Sequence, residues 1–450
     1  MKHIKFHYRN MEEVLAECRD LGIELPFSKN TAALSQSLGF YGITIPNRLG
    51  IAPMEGADST IEGKPSEYTE RRYVNEAIGG AAVIWYEAIS IVEEGRSSAT
   101  QLLINEKNLD SFKRMNDHVK EAGLKANGFE PILIMQANHS GRYSNPGNSP
   151  SPMIAERNSW LESFRAADDS CIVSDDYLKH MEEESGHAAL LARKAGFDGV
   201  DIKSCHGYLF QEVIAAYGRK GEYGGCYENR TRLLKNSIRN AKAYEDERFF
   251  VTSRIGVYDG YPASSRGFGQ KEDGSMDLSE PKRLIQELYS ELGIRMVNIT
   301  MGNPYATTHI TRPFDAGKYT PEEHPFEGLH RMIGAIAEIK ASCPEMVIFG
   351  SAPSYLREFS DLYAAGAVEK GYCDGMLFGR MAFADPGFAN QITKDGRIDR
   401  NRVCLTCGKC GDLIRSHRPT GCVIRDNTTF MPFYREFLEE KKGLPANFRG

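Results

Sequence analysis

The sequence lacks the long apolar run that a membrane-spanning helix requires, and it also lacks a large net charge. No run approaches the roughly 18 apolar residues that predict such a helix, and 55 Lys and Arg against 61 Asp and Glu give a net charge of −6. We therefore expect no membrane partner and no nucleic-acid partner, since nucleic acid requires a basic surface. The first ten residues are charged and no apolar stretch follows them, so we expect no secretory signal and a cytoplasmic location.

Several common functional motifs are absent as well. No glycine-rich dinucleotide fingerprint follows a predicted strand, no phosphate-binding P-loop occurs, and no HExxH zinc motif is present. Ten cysteines in 450 residues are too few for a disulfide scaffold. With 41% hydrophobic and 26% charged residues, the composition is typical of a folded globular protein and excludes a largely disordered chain.

The sequence does contain a regular alternation of short apolar runs and longer stretches with helical periodicity. Eight runs are apolar on both faces and end in glycine or polar residues, as buried parallel strands do. They are residues 50–54, 81–88, 131–137, 199–204, 249–254, 296–300, 346–350 and 374–378. Eight strands alternating with helices predict an α/β fold, a (β/α)8 TIM barrel.

Two predicted segments lie outside the barrel. We expect residues 1–48 to form an N-terminal helix and cap, with a hairpin near residues 40–45 at the bottom of the barrel. Residues 49–390 are then the barrel, and residues 391–450 are a cysteine-bearing C-terminal extension. The long segments 138–175, 255–280 and 301–328 follow predicted strands, so each is either a wall of a substrate site or a surface insertion.

Polar residues follow three of the predicted strands. Lys203, His206 and Tyr208 lie at the C-terminal end of the fourth strand or just beyond it, where donors can converge on one substrate oxygen and a phenol can deliver a proton. Gly350-Ser351 and Gly379-Arg380 come after the seventh and eighth strands, where barrels often bind phosphate. Ordinary turn residues are the alternative interpretation of these glycines.

Four motifs taken together resemble the Old Yellow Enzyme family of FMN-dependent oxidoreductases. Asn47-Arg48 with residues 51–54 is similar to the signature of the family's first strand, and Gln136–Arg142 to that of its third strand. Residues 199–209, with the later Tyr-Gly-Gly and Glu-Asn-Arg, are similar to the signature of the fourth strand. Residues 378–380 with Ala384-Asp385-Pro386 are similar to that of the eighth strand. The resemblance covers about residues 40–390. It implies a flavin barrel that takes electrons from NADH or NADPH.

The resemblance also implies roles for individual residues. Pro53, Met54 and Glu55 would border the flavin, Gln136 would bond its pyrimidine edge, Arg254 would lie beside N1 and O2, and Gly350, Ser351, Gly379 and Arg380 would hold the phosphate. Tyr208 would protonate a substrate carbon, while His206 and Lys203 would grip the activating oxygen.

Two of these positions depart from the family pattern. Lys203 replaces a second histidine, and it either holds a substrate carboxylate or enolate-like oxygen or turns away into an ion pair. Glu55 stands where relatives often have a small Thr or Cys. Beside a flavin its carboxylate would have a raised pKa or would turn toward Lys203 or the substrate.

Four of the ten cysteines crowd together in the pattern CxxCxxC-x11-C, as Cys404, Cys407, Cys410 and Cys422. Thiols at this spacing in a reducing compartment bind metal more often than they form disulfides. We favour a [4Fe–4S] cluster, with structural zinc and unliganded thiols as the alternatives. The spacing also resembles the iron–sulfur branch of the same family, which includes dienoyl-CoA reductases and trimethylamine dehydrogenase.

The resemblance and the residues together predict an ene-reductase that acts on a small molecule with an activated alkene. A separate electron-transfer protein is a further expected partner, and a homo-oligomer is compatible with the sequence. One alternative is an amine dehydrogenase or demethylase that passes electrons through the cluster, although Lys203 would repel an ammonium substrate. The other alternative is a zinc-stabilised binding subunit without turnover.

Overall fold

The structure, a computed structural model that describes residues 3–40 and 42–443, contains a closed barrel of eight parallel strands. The barrel strands are β3 (Leu49–Ile51), β4 (Val83–Ser90), β5 (Ile132–Asn138), β6 (Gly199–Ile202), β7 (Phe250–Gly256), β8 (Met296–Thr300), β9 (Val347–Gly350) and β10 (Gly375–Phe378). They pair in chain order, and β10 pairs with β3 to close the barrel. The predicted (β/α)8 fold is therefore confirmed.

Sixteen α-helices occur in the described residues. They are α1 (Met11–Asp20), α2 (Glu67–Ile78), α3 (Leu109–Asn127), α4 (Ser159–Glu162), α5 (Asp175–Lys194), α6 (Leu209–Ile214), α7 (Tyr227–Arg230), α8 (Arg232–Lys242), α9 (Ser279–Ser290), α10 (Thr308–Thr311), α11 (Pro325–Ser342), α12 (Ser360–Glu369), α13 (Arg380–Ala384), α14 (Phe388–Asn390), α15 (Lys409–Arg415) and α16 (Asn427–Gly443). Helices α2, α3, α5, α8, α9, α11 and α12 connect successive barrel strands. None of the helices in the described ranges is both long enough and apolar enough to cross a membrane.

A two-stranded antiparallel hairpin, β1 (Leu38–Phe40) with β2 (Ile43–Ile45), packs on the barrel interior. Phe40 and Ile45 belong to the same buried apolar cluster as Trp85 and Phe349, and the Phe40 ring lies 4.8 Å from that of Phe250. These side chains fill the bottom of the barrel, as the sequence predicts. The opposite end is therefore the open one.

The C-terminal extension folds back onto that open end. The Thr420 N–H donates to the Gly56 carbonyl (2.8 Å), directly after β3, and the Arg357 guanidinium donates to the Leu405 carbonyl (3.2 Å). Within the extension, Leu413, Val423 and Phe430 form a small core of their own. The predicted boundary between residues 390 and 391 stays a prediction, and residues 1, 2 and 444–450 of the predicted cap and extension lie outside the described residues.

Candidate active site

A cavity of about 470 Å³ opens at the carboxyl ends of the barrel strands. Because parallel strands of a closed barrel all end at one mouth, side chains distant in sequence meet there. Eleven of the twelve residues expected to bind cofactor or substrate line it: Pro53, Met54, Glu55, Gln136, Lys203, His206, Tyr208, Arg254, Ser351, Gly379 and Arg380. The twelfth, Gly350, ends β9 where a Cβ would meet Met376 at 3.0 Å, and its phosphate contact stays a prediction.

Asp201, at the buried centre of β6, fixes two residues of the cavity. Its carboxylate accepts hydrogen bonds from the Gln136 amide (2.6 Å), the Trp85 indole (2.7 Å) and the Arg254 backbone N–H (2.6 Å). The Arg254 side chain is held differently, since its buried Nε has no hydrogen-bond partner within the described residues. A buried donor without a partner is costly, so this guanidinium is suited to an electron-rich ligand in the cavity.

Lys203 presents an ammonium group to the cavity. Its side chain is buried, its Nζ lies 4.0 Å from the ring centroid of Tyr208, and it forms no ion pair with any described carboxylate. Burial lowers the pKa of Lys203 to about 8. The alternative of a lysine turned away into an ion pair is therefore not what the structure contains.

His206 lies three residues further on, in a sharp turn after β6. His206 and Gly207 both have left-handed backbone conformations, with φ of 67° and 69°. The His206 Nε2 is 3.4 Å from the Thr300 hydroxyl. Burial, with the charges of Arg254 and Lys203, lowers the pKa of His206 well below its ordinary value, so the ring is neutral at pH 7 and keeps one N–H to donate.

Tyr208 contacts a second phenol that the sequence did not single out. The Tyr208 and Tyr305 hydroxyls are 3.0 Å apart, and Tyr305 stacks on Tyr143 with ring centroids 3.7 Å apart. Tyr208 is 7% exposed whereas Tyr305 is 36% exposed, so Tyr305 is the more exposed residue of the pair. Burial raises the pKa of Tyr208 well above its ordinary value, which keeps its proton in place.

Asn303 supports this aromatic group. Its side-chain amide donates to the Tyr143 hydroxyl (2.8 Å) and its amide oxygen accepts from the Tyr305 N–H (3.0 Å). Asn303 and Tyr305 lie within segment 301–328 and Tyr143 lies within segment 138–175, both of which the sequence marks as candidate substrate walls. No short motif surrounds Tyr305, so only its membership in segment 301–328 signals a role.

Glu55, the residue after Met54, also lines the cavity. The Ser97 hydroxyl donates a hydrogen bond to its carboxylate. Desolvation raises the pKa of Glu55, opposed by the Ser97 hydrogen bond and by the charge of Lys203. The raised pKa agrees with one of the two expectations for this residue, whereas its carboxylate hydrogen-bonds Ser97 and forms no ion pair with Lys203 in the described part of the chain.

Ser351, Gly379 and Arg380 form the end of the cavity between β9 and β10. The Asn298 amide donates to the Ser351 hydroxyl (3.0 Å), and a Cβ on Gly379 would meet the Met54 sulfur at 2.9 Å. The Arg380 Nη1 donates to the Cys410 sulfur (2.9 Å), while its Nε has no partner in the described residues. A small residue and an arginine with a free donor are suited to a phosphate.

The four clustered cysteines line a second, smaller cavity next to the first. Cys404, Cys407, Cys410 and Cys422 all face it, and Arg380, Phe383 and Cys410 line both cavities. Backbone N–H groups donate to two of the sulfurs, from Thr406 to Cys404 (3.4 Å) and from Arg425 to Cys422 (3.3 Å). In the described ranges all the cysteines are free thiols, and no three His, Cys, Asp or Glu side chains are placed to hold a single metal ion.

Comparison with known proteins extends these observations. A model of the NADH:flavin oxidoreductase / NADH oxidase family matches residues 36–308. The chain is 30% identical to the NADPH dehydrogenase of Bacillus velezensis over 222 residues, which are 48% of this chain and 61% of that protein. It is 25% identical to the NADH oxidase of Thermoanaerobacter brockii over 382 residues, 81% of this chain and 51% of that one.

Solved structures share the architecture at low sequence identity. A complex of 2-naphthoyl-CoA reductase with 2-naphthoyl-CoA superposes with a TM-score of 0.71 at 16% identity, covering 90% of this chain and 58% of that one. Such a likeness concerns the fold alone. The chain thus spans about half to three-fifths of the length of these relatives.

Proposed function

Because the chain belongs to the NADH:flavin oxidoreductase / NADH oxidase family, we propose that it is an FMN-dependent ene-reductase. Its substrate is an alkene conjugated to a carbonyl or carboxylate, and its electron donor is NADH or NADPH. The observation that carries this proposal is the convergence of Lys203, His206 and Tyr208 on one cavity that also contains the unpaired Arg254 guanidinium.

The cavity residues fit FMN at both ends of that cofactor. Arg254, with its unsatisfied Nε, and the amide of Gln136 would face the flavin ring, while Ser351, Gly379 and Arg380 would hold the phosphate. A volume of about 470 Å³ falls in the range of roughly 300–1,000 Å³ that is usual for small-molecule sites. Reduced FMN, when bound, supplies the hydride for the alkene carbon.

The protein's own residues bind and polarise the substrate. The neutral His206 donates an N–H to the activating oxygen, and the Lys203 ammonium attracts the negative charge that develops there. Neither group has to give up an ion pair, since Lys203 has a cation–π contact with the Tyr208 ring and His206 has only a long contact to Thr300. This oxygen-binding pair differs from a pair of histidines because the ammonium of Lys203 adds a full positive charge.

Tyr208 donates a proton to the substrate carbon. Tyr305 then returns a proton to Tyr208. The 3.0 Å contact between their hydroxyls places a second phenol directly beside that of Tyr208. Burial keeps both phenols protonated, with the pKa of Tyr305 raised to about 12. A protonated phenol close to the reacting carbon acts as a general acid.

We further propose a [4Fe–4S] cluster in the cysteine cavity. In such a cluster each thiolate binds a different iron, so the sulfurs surround a larger volume than the ligands of one zinc ion. Four cysteines that line one cavity support a metal site there, and their CxxCxxC-x11-C spacing favours the cluster over zinc. Residues 391–450 would then form a cluster-bearing unit. The proposal also includes a separate electron-transfer protein as a partner and self-association into a homo-oligomer.

The test is to measure the two half-reactions separately under anaerobic conditions. We expect NADH or NADPH to bleach the bound flavin, and an α,β-unsaturated ketone, acid or thioester to restore its colour. Tyr208→Phe is expected to slow only the second step. Bleaching of the oxidised flavin by a tertiary amine, with no reoxidation by any activated alkene, would favour the amine dehydrogenase alternative. Absence of bound flavin would favour a binding subunit.

A further inference from the structure

The cysteine cavity is lined by three cations and, among the described residues, by no carboxylate. Arg380, Lys409 and Arg425 lie around it with the four cysteines, and its other described lining residues are apolar or glycine. The whole chain has a net charge of −6, so the excess of cations is a local property of this cavity. The charge around an iron–sulfur cluster is one of the factors that set how readily the cluster accepts an electron.

Arg380 makes the most direct contact between these cations and the cysteines. Its Nη1 donates to the Cys410 sulfur (2.9 Å), and its guanidinium forms no ion pair with a carboxylate in the described ranges. A Cβ built on Gly411, the residue after Cys410, would lie 3.4 Å from the Arg380 Nη2. The Arg380 guanidinium therefore packs against the Cys410–Gly411 segment and directs one N–H at a sulfur.

Arg312 is a second cation close to Arg380 and to the thiols. Burial lowers the pKa of Arg312, and so does the charge of Arg380, whereas the thiols of Cys410 and Cys404 raise that pKa. Among the described residues the Arg312 guanidinium forms no ion pair, and it donates only a long hydrogen bond to the Pro313 carbonyl (3.5 Å). Two like charges in proximity are stabilised by negative charge between or beside them, which deprotonated cysteines would supply.

The two other cations of the cysteine cavity make weaker contacts. The Lys409 Nζ lies 5.1 Å from the ring centroid of Tyr434, and the Arg425 Nε donates to the Val403 carbonyl (3.3 Å). Arg425 is exposed, so solvent and salt screen its charge. Its contribution to the cavity is the backbone N–H that donates to the Cys422 sulfur.

We propose that Arg380, assisted by Arg312, raises the reduction potential of the [4Fe–4S] cluster in the cysteine cavity. One electron taken up by the cluster adds one negative charge to its irons, sulfides and thiolates, so a nearby cation stabilises the reduced form more than the oxidised form. An N–H that donates to a ligand sulfur acts in the same direction. Arg380 also lines the large cavity, so one guanidinium would contact both proposed cofactors. This inference rests on the proposed cluster and specifies which residues set its potential.

The test is a titration of the anaerobic holoenzyme with dithionite as the electron donor, in which the EPR signal of the reduced cluster gives its midpoint potential. We expect Arg380→Gln to lower the equilibrium constant for cluster reduction about tenfold, which is about 59 mV for one electron. Arg380→Lys keeps the charge and should lower it less. Arg312→Gln should lower it by about threefold, because this charge acts without a hydrogen bond to a sulfur.

Arg165→Gln is the matched control, since it makes the same change of charge at the large cavity but not at the cysteine cavity. The charge of Arg165 acts on Tyr305 and His417. We expect this variant to leave the potential of the cluster unchanged. Iron, sulfide and zinc are quantified in every sample, so that a change of potential is distinguished from a loss of metal.

Full iron content with an unchanged potential in both Arg380→Gln and Arg312→Gln would overturn the inference and leave the cluster in place. An equal fall of the potential in Arg165→Gln would overturn it as well. If Arg380→Gln loses its iron, Arg380→Lys and Arg312→Gln decide in the same way. Zinc in place of iron in the unmodified protein would overturn the cluster and the inference together. If no alkene reoxidises the flavin, the proposed ene-reductase fails, whereas the potential of the cluster still tests the role of Arg380.

Discussion

Lys203 is the residue through which pH should control the reaction. Its pKa is lowered to about 8 by burial, so the ammonium is charged below that value and neutral above it. Because the charged form attracts the substrate oxygen, we expect kcat/KM for alkene reduction to fall as the pH rises through about 8. Lys203→Arg should move this fall to higher pH, and Lys203→Met should remove it and lower the rate at pH 7.

The pH profile is measured by stopped-flow reoxidation of the reduced flavin, with flavin reduction by the nicotinamide as the control. A fall near pH 8 that persists in Lys203→Met would assign the titration to another group. His206 cannot produce it, because its pKa is lowered and not raised.

Tyr305 should affect the rate only through Tyr208. We expect Tyr208→Phe to slow alkene reduction by about 100-fold, the lower end of the usual contribution of a general acid. Tyr305→Phe should slow it by a smaller factor, of about tenfold, and should add nothing in the double variant. The measurement is a double-mutant cycle with a proton inventory in mixed H2O and D2O. Additive losses would mean that the two phenols act independently.

At the residue scale, the sequence was most informative where short motifs follow strands. Lys203, His206 and Tyr208 could be found because strand ends point into a barrel's mouth. Tyr305 and Tyr143, which stack on each other beside Tyr208, could not be found in this way, because they lie in long segments. Their approach to the cavity depends on how those segments fold over it, which no local pattern encodes.

The turn between β6 and α6 is the element that aims the catalytic side chains. Gly207 has a left-handed backbone, and a Cβ there would meet the Asn303 amide at 2.2 Å. We expect Gly207→Ala to lower the free energy of unfolding by about 1–3 kcal/mol and to displace the Tyr143–Tyr305 stack that Asn303 supports. Thermal unfolding and the alkene half-reaction are the two measurements.

Gly196→Ala is the matched control, since Gly196 is also left-handed (φ 82°) but a Cβ there meets nothing within 4 Å. It carries the backbone strain without the clash. We expect it to reduce stability and to leave the alkene half-reaction unchanged. Equal effects of the two substitutions on that rate would show that the contact with Asn303 is unimportant.

At the scale of elements, the sequence predicted the presence of each strand better than the residues at which the strand begins and ends. Residues 296–300 match β8 at both ends, and Met296–Thr300 is buried throughout with the polar Arg295 before it. The prediction for residues 50–54 runs past Ile51, where β3 ends, since Pro53 has no N–H for a ladder. Strand β4 continues to Ser90, beyond the predicted end at residue 88, and contains a bulge between Trp85 and Ala88. The pattern of apolar residues along a strand does not by itself reveal a bulge.

At the scale of the whole molecule, the cysteine cavity should tie the extension to the barrel through a metal cluster. We expect the anaerobically purified protein to contain about four irons per chain, as a [4Fe–4S] cluster requires. Cys422→Ala should lose the iron and lower the melting temperature, because the small core around Val423 and Phe430 lies beside this residue. Cys171→Ala, outside the cysteine cavity, is the control.

Iron, sulfide, zinc and flavin are quantified together with the absorbance spectrum. Stoichiometric zinc without iron would replace the cluster with a structural zinc site. Retention of full iron content in Cys422→Ala would contradict the assignment of the fourth ligand.

The folding back of the extension also bears on the order in which the protein matures. Residues between Thr406 and Thr420 line the large cavity, although they follow the last barrel strand by nearly thirty positions. When the ribosome has just completed β10, all eight barrel strands have therefore been synthesised, but part of the cavity lining has not. Cofactor loading during translation would meet an unfinished site, so stable capture of the flavin should follow the synthesis of the extension.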